Sequence, residues 1–177
     1  MSRLTISREI RLAVMALIFC TTLPAYAADS CQLVFDAMNK VVTTPSHSYT
    51  THPRASSSGK PQLSETVFVN GKVFIQANGK WITGHVTPQE ILDQQKENRA
   101  QSKITCQFVR NDMVGAEAAA VYSMHIDNNG EKEDAQIWIS KSTGLPLRDE
   151  REVEAASRRE KEHRSTRFEY QNIRAPM

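Results

Sequence analysis

The side chains with the most chemical potential in this sequence are five histidines, three cysteines and two runs of carboxylates. The histidines are His47, His52, His85, His125 and His163. No two of them stand at a helical or strand interval that would present two imidazoles to one metal ion. His47 and His52, five residues apart, fall on opposite faces of a strand. Each is read as a surface or loop histidine. The carboxylates gather in Glu131–Asp134 and Asp149–Glu154, where turn or edge surroundings supply no apolar setting to drive one pKa away from its neighbour's, as acid–base catalysis requires. They are read as solvated charges. The chain has no Gly-x-Ser-x-Gly elbow, phosphate-cradling glycine loop, His-Glu-x-x-His helix or calcium loop. We therefore expect no catalytic residue, no metal and no cofactor, and a protein that is not an enzyme.

The cysteines carry a different message. Arg3, Arg8 and Arg11 precede an apolar run from Leu12 to Leu23, and Ala25-Tyr26-Ala27 ends it with small residues where a signal peptidase cuts. Residues 1–27 are expected to be an export signal and residues 28–177 a single domain in the periplasm. The apolar run is too short for an ordinary membrane span, and nothing downstream approaches that length. Cys20 leaves with the leader. Cys31 and Cys106 remain, an even pair in an oxidising compartment, and are expected to form one structural disulfide between the first helix and a mid-chain strand. They lack the Cys-x-x-Cys spacing of a redox pair. The leader also removes Arg3, Arg8, Arg11 and Glu9, so the 22 basic and 20 acidic side chains of the whole chain become 19 of each. A net charge of zero offers no argument for a nucleic-acid partner.

The elements that must position these residues follow from periodicity and turn chemistry. Asp29 or Ser30 caps a helix whose apolar stripe is Cys31, Val34, Phe35, Met38 and Val41. A short strand near residues 48–51 leads to a Ser- and Gly-rich loop at 54–60. Asn70-Gly71 and Asn78-Gly79 each suit a two-residue type I′ hairpin, which predicts a three-stranded meander. With Val69 opposite Lys72 and Ala77 opposite Lys80, Leu63, Val67, Val69, Phe74 and Trp81 share one face, and Phe68, Val73, Ile75 and Ile82 the other. Both faces are apolar, so the meander is expected to be covered on both sides. Thr87-Pro88-Gln89-Glu90 is a capping box that opens a second, largely polar surface helix. Strands are predicted over 104–114, 118–126, 135–140, 146–154 and 166–173. The charged stretch from Arg148 to Arg167 is read as a hairpin with its tip near 155–159, forming an exposed, charge-protected edge.

The segment Ala135-Gln136-Ile137-Trp138-Ile139-Ser140-Lys141-Ser142-Thr143-Gly144-Leu145-Pro146-Leu147 is similar to the strand, Thr-Gly-Leu-Pro turn and next strand of the LolA and LolB lipoprotein-carrier superfamily of the bacterial envelope. Arg167-Phe168-Glu169-Tyr170-Gln171-Asn172-Ile173 resembles that family's closing strand. The resemblance spans residues 49–173 loosely. It implies an α+β fold, a curved antiparallel sheet or half-barrel wrapped over two or so helices, with an apolar cavity that takes lipid chains or serves a domain sensing envelope lipoproteins. The function expected is therefore non-enzymatic binding of a hydrophobic or lipid-like ligand, or contact with an envelope lipoprotein, with Val67, Phe74, Trp81, Val69 and Leu63 as cavity lining. The alternative is a protein-interaction domain with a filled core.

Overall fold

The computed structural model describes residues 26–52, 61–77, 79–128, 131–154 and 161–176. Residues 1–25 of the expected leader, the loop at 54–60 and the tip of the charged hairpin lie outside them, while Tyr26 and Ala27 open the first helix. Two helices and nine strands follow one another as α1 (Tyr26–Val41), β1 (Ser46–His52), β2 (Gln62–Val69), β3 (Lys72–Ala77), β4 (Lys80–Thr83), α2 (Pro88–Gln101), β5 (Lys103–Val114), β6 (Glu117–Asn128), β7 (Glu131–Ser140), β8 (Pro146–Glu154) and β9 (Glu162–Glu169). The strands form one open antiparallel sheet in the order β4-β3-β2-β1-β9-β8-β7-β6-β5. An unclosed nine-stranded sheet with helix on one face is the half-barrel arrangement expected.

The core lies between α1 and the sheet. Val34 and Ala37 of α1 are buried against Cys106 of β5, Met124 of β6 and Ala135, Ile137 and Ile139 of β7, with Cys31, Phe35 and Met38 packed around them. The Cys31–Cys106 disulfide ties the same helix to β5, as the cysteine arithmetic predicts. Helix α1 starts at Tyr26 rather than at Asp29 or Ser30, and Ser30 is a buried residue inside it. The stripe packs on the sheet irrespective of which residue caps the first turn. α2 is as predicted: Thr87 accepts from the Glu90 N–H, the Glu90 carboxylate accepts from the Thr87 N–H at 2.7 Å, and no residue of the helix is buried.

The meander forms in the predicted register, Val69 opposite Lys72 and Ala77 opposite Lys80. Asn70 and Gly71 both have positive φ, 55° and 71°, as a type I′ turn demands. Its covering is only partial. Val67 and Val69 on one face and Phe68 and Val73 on the other are buried, whereas Leu63, Ile75 and Ile82 are exposed. The expectation of burial on both sides holds for the β2–β3 turn end and fails further out, because β4 is a four-residue edge strand.

The charged hairpin is not an edge. β8 and β9 pair with each other, and β9 pairs on with β1, which places them in the middle of the sheet. Alternating charge at a hairpin resembles edge protection from sequence alone, but here the charges pair mostly along their own strand, Arg148 with Glu150, Arg151 with Asp149 and Arg164 with Glu162, while Arg151 also reaches Glu133 on β7. The last strand also lies four residues earlier than the predicted 166–173. The chain turns off at Asn172, with φ 55°, after Tyr170 donates its hydroxyl to the Pro146 carbonyl at 2.5 Å.

Candidate functional site

Register assigns every strand residue to the α1 side of the sheet or to the opposite face. On the α1 side, Tyr122 of β6 and Ile139 of β7 form the floor of a cleft of about 690 Å³ whose walls are α1 and α2. Leu33 and Ala37 come from α1, Leu92 from α2 and Ala120 from β6; Ala37 belongs to the core, whereas Leu33 lies beside the apolar stripe. The sequence predicts neither Leu33 nor Leu92 as lining, because a cleft between two helices and a sheet depends on how the helices are set down.

The mouth of this cleft is charged. Asp36, Lys40 and Lys141 line it, and the Lys40 ammonium donates to the Thr143 carbonyl at 3.1 Å. That bond fastens the end of α1 to the Thr143-Gly144-Leu145-Pro146 turn. Gly144 has φ 67°, a conformation that calls for glycine; a Cβ there would meet only the tip of the flexible Lys40 side chain, 2.7 Å from its Nζ. Chemically, the arrangement pairs an apolar slot with two ammonium groups and one carboxylate.

The five predicted lining residues lie elsewhere. Val67, Val69, Phe74, Trp81 and Leu63 share the opposite face, as their register requires, and none of them lines this cleft or the second cavity described below. Val67 and Val69 are buried, Phe74 and Trp81 half-buried and Leu63 exposed. Alternation along the meander shows which residues share a face but not which face α1 covers.

Beside them on that opposite face sits a hydrogen-bonded chain. His47 Nε2 lies 2.9 Å from Glu65 Oε2, and the Tyr49 hydroxyl lies 3.1 Å from His47 Nδ1. The single hydrogen of the Tyr49 hydroxyl goes to Glu169 Oε2, so toward His47 Nδ1 the tyrosine oxygen stands as acceptor. The Tyr49 hydroxyl also faces Glu169 Oε2 at 3.3 Å, and its pKa is raised, first by burial and then by the Glu169 charge. A phenol held more firmly protonated is a poorer nucleophile and base. The chain ties β1 to β2 and β9; His47 is thus a partnered sheet residue, not the loop histidine predicted.

A second cavity, about 630 Å³, crosses the opposite face of β5–β9. Its floor is two cross-strand rows: Thr105, His125, Asp134, Glu152 and His163, then Gln107, Ser123, Gln136 and Glu150. His125 Nδ1 is 2.7 Å from Asp134 Oδ1. Among the described residues no group of three histidine, cysteine or carboxylate side chains is placed to hold a metal ion.

The carboxylate clusters are not uniformly solvated. Asp149 is 4% exposed on the α1 side, and its Oδ2 accepts from Arg151 Nε at 2.7 Å while Arg151 Nη1 reaches Glu133 at 2.5 Å. Burial raises the Asp149 pKa, against the opposing pull of Arg151. Two carboxylates thus share one buried guanidinium, a pairing visible only once β7 and β8 are aligned.

No family model matches the chain, and no curated protein matches it. Among solved structures it is similar to LprF from Mycobacterium bovis at 12% identity, with a TM-score of 0.44, over 85% of this chain and 95% of that one. It is similar to MucB in complex with MucA(peri) at 12% identity and a TM-score of 0.38, over 84% of this chain and 57% of that one. It is also similar to a LolA superfamily protein from Nitrosomonas europaea at 10% identity and a TM-score of 0.32, over 79% and 91%. These likenesses concern the fold alone. Among the described residues no helix is long and apolar enough to cross a membrane.

Proposed function

We propose that this protein is a periplasmic, non-enzymatic binder of an amphiphilic, lipid-like ligand, and that the ligand lies in the cleft between α1, α2 and the β6–β7 surface. The observation that carries the reading is the cleft itself. A volume of about 690 Å³ suits a small-molecule site, and its walls combine Leu33, Ala37, Leu92, Tyr122 and Ile139 with ammonium groups at the mouth. An acyl chain would lie along the apolar walls, and an anionic head would meet Lys40 or Lys141. α2 has no buried residue, so its displacement to admit a chain exposes little apolar surface. The face bearing Val67, Phe74 and Trp81 is proposed as a secondary apolar contact, since Phe74 and Trp81 remain half-buried there.

A fluorescent fatty-acid probe tests this directly. Saturable binding is expected for the oxidised protein, with affinity at least about tenfold weaker in Leu33→Glu, which sets a like charge and a polar head into the slot. Leu33 is exposed, so that variant keeps its fold. Absence of binding, or binding untouched by Leu33→Glu, would remove the cleft from the function and leave the interaction-domain reading.

A further inference from the structure

The sheet has two free edges, β4 and β5. β4 is four residues long, a common way to blunt an edge, whereas β5 runs for 12. The outer half of β5 also carries Phe108, Val109 and Met113, which are 51%, 44% and 57% exposed. From Gln107 to Val114 the strand contains no lysine and no proline, and its one irregularity is the shift between Phe108 and Arg110. A long edge with exposed apolar side chains is a template for another strand, and on pairing the Met113 N–H would exchange the Asp112 Oδ1 it now donates to, at 2.8 Å, for a carbonyl of that strand.

Its charges specify which strand. Arg110 and Asp112 stand on one face of β5, with Arg110 Nη2 3.2 Å from Asp112 Oδ2, and both are exposed. In an antiparallel pair of β5 strands related by a two-fold axis normal to the sheet, residues of the same face must oppose each other. Centring that axis on Asn111 places Arg110 opposite Asp112 of a second copy, twice, and Val109 opposite Met113, twice. Centring it on Arg110 or on Asp112 instead sets like charges against each other. The edge is therefore self-complementary in one register. Within that register the two intrachain pairs and the two interchain pairs close a square of alternating charge, flanked by the exposed apolar side chains.

We propose that the protein self-associates through β5, with a second copy of this chain paired antiparallel over residues 109–113 and Asn111 on the two-fold axis. Five paired residues make a strand of ordinary length. The pairing extends one nine-stranded sheet into the next and covers the two longest free edges.

Sedimentation and native mass spectrometry of the oxidised protein test the arrangement. The wild type is expected to show a monomer–dimer equilibrium, and Arg110→Glu and Asp112→Lys are each expected to weaken it by about tenfold or more through like-charge opposition. An equimolar mixture of the two single variants should restore the dimer as a heterodimer, because each then presents the charge the other lacks. Asp112 also accepts from the Trp138 indole, so Val109→Lys, at an exposed position, serves as a second disrupting variant independent of that bond. A wild type that stays monomeric at high concentration overturns the proposal. So does a wild-type dimer that survives Val109→Lys undiminished, or one whose charge variants fail to recombine.

Discussion

Reducing the Cys31–Cys106 bridge isolates one term in the stability of this fold. The bond closes a loop with a sequence separation of 75. In the chain-entropy account, freeing a loop of that size returns about 4.5 kcal/mol of entropy to the unfolded chain at room temperature. Domains of this kind are stable by about 5 to 15 kcal/mol, so the bridge supplies roughly a third or more of the total. The native contacts barely change on reduction: Val34 and Ala37 still pack on Met124, Ala135 and Ile137, and α1 stays seated. The reduced protein should therefore be folded but weaker. The assay is urea unfolding of the oxidised and reduced protein, followed by Trp81 and Trp138 fluorescence, with the free thiols counted by alkylation. With an m-value of about 2 kcal/mol/M, the midpoint should fall by roughly 2 M. A shift below about 0.5 M in fully reduced protein would refute loop closure as the way the bridge acts.

Two further outcomes follow from burial and charge. Val34→Ala removes two methyl groups from a fully buried site, which should cost about 2 to 3 kcal/mol in urea unfolding, whereas Ile82→Ala at the exposed end of the meander should cost under about 0.5 kcal/mol. A large loss at Ile82 would mean that the outer meander is covered after all. Asp149 has its pKa raised from 3.8 by burial, so the folded state keeps a proton that the unfolded chain has released. Its contribution to stability is complete below the unfolded value and is lost as pH rises through the folded one. Asp149→Asn, neutral throughout, should abolish that downward slope above about pH 4, and a slope left intact would assign it to another group.

Much of the fold is legible in the residue order because it depends on neighbours in the chain. The Asn70-Gly71 turn can adopt two positive φ angles, and once it does, the pairing of Val69 with Lys72 is decided. Thr87, Pro88 and Glu90 cap α2 with groups at most three residues apart. Cys31 and Cys106, the two cysteines of the expected mature chain, have one partner each, and the bridge between them is formed.

What the chain order left open depends on distant residues meeting. The hairpin of β8 and β9 has the composition of an edge, and only the addition of β1 beyond β9 puts it mid-sheet. The alignment of β8 on β7, likewise, makes Arg151 a shared counter-ion for Asp149 and Glu133. The meander's alternation sorts Val67, Phe74 and Trp81 onto one face with no reference to α1, and α1 settles on the other. The cleft is therefore built from Leu33, Leu92 and Tyr122, residues on three elements far apart in sequence. Turns, caps and covalent bridges are local or pairwise and can be read from the sequence; a cavity is the space left between elements after packing, so only the tertiary structure decides where it lies.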